Sequence, residues 1–176
     1  GDGTFEAPRT FATGRRPVSL ASADLDGDSV LDLVTANLDS DDVSVLLGLG
    51  DGSFGAQQVI TTAAYGARSV YAGDLDGDGD LDLLVCAHFT GPTPEWEQEN
   101  PGPADPSELY ENLGDGRFRD RSDVLSESVH TAYTYACGFH DFNADGRPDI
   151  YLVNDFGDRV VGNQMLFNQF DGFTWN

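Results

Sequence analysis

The sequence predicts an all-β protein built from β-propeller blades, and two recurring patterns carry that prediction. The first is a nine-residue acidic loop that occurs three times, at residues 24–32, 74–82 and 141–149. The second is a Gly-Asp-Gly turn followed two residues later by phenylalanine, at 1–5, 50–54 and 114–118, with a degraded copy at 170–173. Short apolar runs flank each acidic loop. Units of this kind that recur at intervals of about fifty residues are typical of four-stranded propeller blades.

The acidic loops indicate a bound cation. The second loop places aspartate at every odd position, from Asp74 to Asp82, with Gly77 and Gly79 between them. Carboxylates this dense repel one another, and a cation makes their convergence favourable. Side-chain oxygens at positions 1, 3, 5 and 9, with a backbone carbonyl at position 7, suit a hard cation that accepts many ligands, which is calcium. Gly79, at position 6, permits a sharp bend.

The loops are not EF-hands. An EF-hand has glutamate at position 12 and lies between two helices. Position 12 is here Thr35, Val85 or Leu152, and the flanking segments have the composition of strands.

Each repeat predicts four antiparallel strands in a fixed order. The first precedes the acidic loop, at 17–23, 68–73 and 133–140, and the second follows it, at 31–36, 81–87 and 150–153. The third is expected at 43–47, 108–112 and 164–168, and a fourth follows the Asp-Gly turn. We expect a two-residue hairpin turn with positive φ at both Asp and Gly. Near-continuous apolar runs at strand 2 predict strands covered on both faces.

The chain of 176 residues is one domain by length. We expect a single partial propeller over residues 1–176, with blade repeats at about 6–54, 55–118 and 119–173. A Pro-rich insertion at 89–107 interrupts the second repeat. Propellers have four to eight blades, so three repeats predict either part of a longer chain or half of a dimer that closes six blades. The first residue is Gly1 rather than Met, which also favours a processed or partial product.

Composition limits the partners and the compartment. The net charge of −22 and the pI near 4.1 exclude nucleic acid as a natural partner. No apolar run approaches the ~18 residues of a membrane span, and we expect no signal peptide. Calcium loops of this kind indicate an extracellular or periplasmic location. Cys86 and Cys137 are expected to be buried free thiols, with a bridge between neighbouring repeats as the alternative.

No catalytic pattern accompanies the three histidines, His88, His130 and His140. No glutamate, cysteine or serine stands at a recognisable nucleophile or zinc spacing from them. We therefore expect structural histidines and a protein that is not an enzyme. Trp96, in the insertion, is open to two interpretations: a ligand anchor, or packing within its own loop.

These features resemble the FG-GAP/VCBS repeats of integrin α-chain-like β-propellers. Residues 109–112 and 154–157 resemble variants in bacterial secreted proteins related to the cartilage acidic protein family. The resemblance implies about three calcium ions, each held by side chains at positions 1, 3, 5 and 9 and the carbonyl of position 7. The ligands are then Asp24, Asp26, Asp28, Val30 and Asp32; Asp74, Asp76, Asp78, Asp80 and Asp82; and Asp141, Asn143, Asp145, Arg147 and Asp149. The first loop departs from the pattern because Ser29 replaces glycine at position 6.

The expected function is that of a non-enzymatic, calcium-stabilised module for protein–protein or adhesion-type binding. The alternatives are a lectin-like or accessory module of a secreted carbohydrate- or phospholipid-active enzyme, and a scaffold subunit of a larger assembly. We expect the partner, a protein or a glycan, on the face opposite the calcium loops. The candidate contact residues are His88, Trp96 and Asp155.

Overall fold

The computed structural model describes residues 3–63, 65–88, 105–130, 132–154, 162–169 and 174–175 of the chain. These residues form three successive antiparallel units, which we call blades 1, 2 and 3. Within the described residues, no helix is long and apolar enough to cross a membrane.

Blades 1 and 2 are four-stranded sheets in which neighbours in sequence are neighbours in space. Blade 1 contains β1 (Pro17–Ala23), β2 (Asp32–Asn37), β3 (Asp42–Leu46) and β4 (Gln58–Thr61), paired in that order. Blade 2 contains β5 (Ala67–Gly73), β6 (Asp82–Ala87), β7 (Glu108–Asn112) and β8 (Phe118–Asp120), also paired in order. All six residues of β6 are buried, as its apolar sequence predicts for a strand covered on both faces.

Blade 3 repeats the same plan with an interrupted third strand. It contains β9 (Thr134–His140), β10 (Asp149–Asn154), β11 (Gln164–Leu166), β12 (Asn168–Gln169) and β13 (Thr174–Trp175). Strands β9, β10 and β11 form one sheet, and β12 pairs with β13. The third strand predicted at 164–168 is therefore split at Phe167.

The prediction of an all-β fold made of propeller blades is confirmed. The described strands form antiparallel sheets of the expected order, and no sheet among them closes on itself. A 3₁₀ turn (Ser122–Val124) and one helical turn (Glu127–His130) lie between blades 2 and 3. They place Leu125 and Val129 in the core.

The blades pack face to face through two apolar cores. Blades 1 and 2 share the cluster of Leu25, Val34, Ala36, Val43, Val45, Ala67, Val70, Leu83, Val85 and Tyr110. Blades 2 and 3 share the cluster of Leu75, Leu84, Cys86, Leu109, Leu125, Val129, Cys137, Ile150, Leu152 and Leu166. Strand β6 contributes alternate side chains to the two cores, Leu83 and Val85 to the first and Leu84 and Cys86 to the second, as the two-residue period of a strand requires.

The Gly-Asp-Gly turns lie beside the acidic loops, at one end of the blades. A Cβ atom at Gly114 would lie 2.7 Å from the Asp80 carboxylate, and one at Gly50 would lie 3.6 Å from Val30. The acidic loops and the Gly-Asp-Gly turns therefore lie on a common face of the blades. The first residues after strand 2, Leu38 and His88, lie at the other end.

The expected turn geometry is wrong. In each turn the positive φ angles belong to the two glycines, Gly50 and Gly52 or Gly114 and Gly116, and not to the aspartate between them. The turn is closed around three residues, because the Leu49 N–H donates to the Ser53 carbonyl at 3.0 Å. The first glycine adopts the left-handed conformation, which glycine tolerates without steric cost. In a two-residue turn the aspartate would have to adopt that conformation.

The expectation of free thiols is also wrong, because Cys86 and Cys137 form a disulfide. Cys86 lies on β6 and faces blade 3, and Cys137 lies on β9 and faces blade 2. Their Cα atoms are 6.5 Å apart. The disulfide therefore covalently joins two blades within their shared core.

Reducing this disulfide is expected to destabilise the fold. The half-cystines are separated by 51 residues in sequence, and the chain-entropy model assigns about 4 kcal/mol to a loop of this size. Urea unfolding with and without a phosphine reductant measures the loss. The Cys86→Ala/Cys137→Ala variant, which the reductant cannot affect, is the control. An unchanged midpoint, with thiol titration proving reduction, would contradict the expected role.

Candidate metal sites

Two of the acidic loops bring three carboxylates together. Oxygens of Asp24, Asp26 and Asp28 lie within 4.8 Å of one another, and so do oxygens of Asp74, Asp76 and Asp78. These are positions 1, 3 and 5 of the first and second loops. The donor set is all-oxygen and anionic, which fits a hard divalent cation.

The three loops share one backbone conformation. Positions 4 and 6 have positive φ in every loop: Gly27 and Ser29, Gly77 and Gly79, Ala144 and Gly146. Ser29 therefore adopts, at φ 68°, the conformation that glycine has at this position elsewhere. A non-glycine residue pays about 1–2 kcal/mol for this conformation, so the substitution weakens the first loop without changing its shape.

Hydrogen bonds from backbone amides hold the loop side chains in place. The two oxygens of Asp24 accept the N–H groups of Gly27 and Ser29, both at 2.9 Å. Asp28 accepts the N–H of Val30 at 2.8 Å. The third loop repeats the arrangement, with Asp141 accepting from Asp145 at 3.0 Å and from Gly146 at 2.8 Å. The carboxylates are thus ordered by the loop itself.

The aspartate at position 9 has a different environment. Asp32, Asp82 and Asp149 are buried, and they lie outside the two three-carboxylate clusters. In each case one oxygen accepts the N–H of loop position 2 and the other accepts an N–H just after or at the end of strand 3. The donors are Leu25 and Gly48 for Asp32 (2.7 and 2.7 Å), Leu75 and Asn112 for Asp82 (2.9 and 2.9 Å), and Phe142 and Asn168 for Asp149 (2.9 and 2.8 Å).

Burial makes the negative charge of these loops costly. It raises the pKa of Asp82 to about 7, although the N–H groups of Asn112 and Leu75 act in the opposite direction. Burial, followed by the charge of Asp78, raises the pKa of Asp76. A cation among these carboxylates would favour their ionised forms.

The third loop carries less negative charge and an internal cation. Asn143 replaces aspartate at position 3, and its amide donates to Asp145 at 2.9 Å. The Arg147 guanidinium donates to the same carboxylate at 2.5 Å. The N–H of Gly146 lowers the pKa of Asp141. The third loop therefore depends less on an added cation than the first and second loops do.

Two asparagines that sequence reasoning missed connect neighbouring loops. The Asn112 side chain donates to the carbonyl of Leu25 in the first loop at 2.8 Å and to that of Leu81 in its own loop at 3.1 Å. Asn168 donates in the same way to Leu75 at 2.8 Å and to Pro148 at 3.2 Å. Each asparagine lies two residues before a turn motif, at 114–118 or 170–173, and this shared spacing is the sequence signal that would have identified them.

The predicted partner-contact residues receive little support from the structure. Trp96 and Asp155 lie outside the described residues, as do residues 89–104 of the insertion. The His88 side chain is fully buried against Tyr133 and Tyr135, so a partner cannot reach it without a rearrangement. His140 is exposed beside Phe142, and the side chain of His130 lies outside the described part.

A cavity of about 300 Å³ lies at the end of the blades opposite the acidic loops. It is lined by Arg16, Val18, Leu38, Arg68 and Tyr135. The Arg68 guanidinium stacks 4.3 Å from the centre of the Tyr135 ring. Arg16 pairs with Asp39 at 3.3 Å. The half-exposed Tyr135 ring and the Arg68 guanidinium therefore meet at a cavity that Arg16 also lines, where three successive first strands begin.

The repeat itself is recognised by comparison with known sequences. The pattern of the FG-GAP-like repeat matches residues 26–85 and 101–152, together more than half of the chain. The chain belongs to the FG-GAP-like repeat family. No curated protein matches it as a relative, and the finer likeness to the cartilage acidic protein family stays a prediction.

Two solved structures are similar to the chain at low sequence identity. One is a lectin from Agrocybe aegerita, described as specifically recognising non-reducing terminal N-acetylglucosamine. It has a TM-score of 0.54 and 20% identity, and the match covers 88% of this chain and 36% of the lectin. The V. cholerae biofilm matrix protein Bap1 matches with a TM-score of 0.42 and 20% identity, over 82% of this chain and 19% of Bap1. The chain thus spans about a third of the lectin's length.

Two aspartates of the second loop should separate folding from metal binding. Asp82→Asn removes one acceptor and points an amide at a backbone N–H, which should cost about 1–3 kcal/mol in the absence of calcium. Asp78→Asn keeps a side-chain oxygen that can accept the Asp80 N–H. The substitution therefore removes only the negative charge. It should leave the calcium-free melting temperature unchanged or raise it, and should reduce the increase that calcium produces.

Thermal melting of both variants and the parent protein, with calcium and with a chelator, measures the two effects. Asp78→Asn is the matched control for Asp82→Asn, because both remove one negative charge from one loop. An Asp82→Asn protein that melts like the parent without calcium would contradict the structural role of position 9.

Proposed function

We propose that this FG-GAP protein is a calcium-stabilised, non-enzymatic binding module that works outside the cytoplasm. The observation that carries the proposal is the pair of three-carboxylate clusters on loops of fixed shape, Asp24/Asp26/Asp28 and Asp74/Asp76/Asp78. Oxygen donors at this density suit calcium better than softer transition metals.

Calcium would act on the fold rather than on a substrate. The ion would be held by the cluster carboxylates, with the carbonyls of Val30, Asp80 and Arg147 and the position-9 aspartates as the further predicted ligands. Bound there, it supplies positive charge where burial penalises the ionised carboxylates. It would bind the folded loop and not the unfolded chain, and so stabilise the fold by mass action.

Recognition is assigned to the opposite end of the blades. Loops on a rigid scaffold carry binding more often than the scaffold itself, and the cavity around Tyr135 and Arg68 lies at that end. Strand β6, which precedes the insertion at 89–107 in the sequence, ends there at Ala87. An exposed tyrosine with a stacked arginine combines apolar area with hydrogen-bond donors, which is the composition of binding hot spots.

A glycan is the ligand class that this cavity favours over a flat protein surface. It is concave, about 300 Å³ in volume, and lined by an aromatic ring and several hydrogen-bond donors, the usual features of a small-ligand site. The Agrocybe aegerita lectin of similar fold is described as recognising non-reducing terminal N-acetylglucosamine, so this sugar belongs among the first tested. A protein partner is the second candidate, because Phe142 and Val153 expose apolar surface on the third blade.

The disulfide supports a location outside the cytoplasm. Cys86 and Cys137 are joined within the core of blades 2 and 3, and disulfides persist in oxidising compartments. The extracellular space and the periplasm are also where calcium is abundant enough for loops of this kind.

A glycan array in calcium buffer tests the proposed binding function. We expect binding to one glycan class, weakened at least tenfold by Tyr135→Ala, because this change removes the ring that Arg68 stacks on. Tyr65→Ala is the control, because Tyr65 is an exposed tyrosine that does not line the cavity. Binding that survives Tyr135→Ala would contradict the assigned site. Failure to bind any glycan would favour the protein partner.

A further inference from the structure

One residue near the start of the first strand is skipped by the strand register in every blade. Two consecutive residues of strand 2 lie opposite residues that are two apart on strand 1. The skipped residues are Val18 in β1, Arg68 in β5 and Tyr135 in β9. Such a β-bulge redirects a side chain, and bulges are over-represented next to active sites.

The three bulge residues line one cavity. Val18, Arg68 and Tyr135 are three of the five residues around the space of about 300 Å³ opposite the acidic loops. The same backbone irregularity therefore brings an aliphatic, a basic and an aromatic side chain from three strands to a common space. Because the bulge recurs at the same register position, the residue type found there decides what the cavity can bind.

The Tyr135 ring is fixed by two neighbours. The guanidinium carbon of Arg68 lies 4.3 Å from the centre of the ring. The buried His88 ring meets it nearly at right angles, with 5.8 Å between the ring centres. Stacking uses the flat face of a guanidinium, whereas its N–H groups lie in the plane and match a carboxylate in a two-point contact. The arginine is thus ordered before a ligand arrives, which lowers the entropic cost of binding.

The cavity is basic in a strongly acidic protein. The chain has nine basic and 31 acidic residues, yet the described lining of the cavity includes two arginines and no carboxylate. Arg16 pairs with Asp39 at 3.3 Å, and both side chains are more than half exposed. An exposed pair of this kind contributes little to stability, so a ligand carboxylate can replace Asp39 at small cost.

We infer that this cavity selects a sugar that carries one carboxylate, a uronic or a sialic acid, and that Arg68 recognises the acid group. The inference rests on the proposed glycan-binding function and narrows its ligand class. Val18, Leu38 and Tyr135 supply apolar surface for the sugar ring, and the guanidinium groups bind the carboxylate. A long anionic chain is disfavoured, because the net charge of −22 repels a polyanion. The volume lies at the lower end for ligand pockets, which suits a terminal sugar.

Isothermal titration calorimetry with matched sugars, in calcium buffer, tests the inference. The probes are the methyl glycosides of glucuronic, galacturonic and N-acetylneuraminic acid, each compared with its neutral carboxamide of nearly the same shape. At least one acid should bind at least tenfold more tightly than its carboxamide, the size expected of a hydrogen bond to a charged group. The acid that shows the preference distinguishes a uronic from a sialic acid ligand.

The outcomes separate this inference from the proposed function. Equal affinities for each acid and its carboxamide would overturn the inference and leave glycan binding intact. A protein that binds glycans on the array but none of these acids would do the same. Absence of all glycan binding would overturn the proposed function as well.

Arginine substitutions test whether the bulge residue makes the selection. Arg68→Gln should reduce the preference for the acid to less than about threefold with little change in carboxamide affinity, and Arg68→Lys should keep part of the preference because it retains the charge. Arg117→Gln is the matched control, since it removes the same charge from an exposed arginine at a Gly-Asp-Gly turn. Circular dichroism confirms that each variant is folded. A preference that survives Arg68→Gln, or that Arg117→Gln lowers equally, would overturn the inference.

Discussion

The fold depends on how each blade accommodates a buried carboxylate at the ninth loop position. Asp32, Asp82 and Asp149 each accept two backbone N–H bonds, one from the start of the loop and one from the region where strand 3 ends. These bonds close the end of the blade that carries the acidic loop. Burial of the carboxylate raises the pKa of Asp82 to about 7, and the negative charges of Asp76 and Asp78 act in the same direction. The proposed calcium ion would offset that charge where it is most concentrated.

The same end of the molecule couples one blade to the next. Asn112 and Asn168 each bind a carbonyl of their own loop and a carbonyl of the preceding loop. Position 2 of a loop therefore serves two purposes: its N–H binds the ninth residue, and its carbonyl binds the following blade. Its side chain, Leu25 or Leu75, enters the shared core. Ordering one loop thus also orders an interface between blades.

Local sequence patterns predicted the blades, but they did not predict the contacts between blades. Alternating aspartates and apolar runs located the loops and strands to within a few residues. The disulfide could not be inferred, because nothing local to Cys86 or Cys137 says that their strands face each other. The buried role of Asp82 was hidden, since a ligand and an acceptor of backbone N–H groups look the same in sequence. Ser29 showed that a loop keeps its shape without glycine.

Calcium removal tests the central claim most directly. Differential scanning calorimetry compares the protein saturated with calcium and the same protein after chelation, with elemental analysis to exclude residual metal. Saturation at about a hundred times Kd adds about 2.7 kcal/mol for each site, so the account predicts a melting temperature several degrees higher with calcium. Equal melting temperatures in the two samples would contradict it.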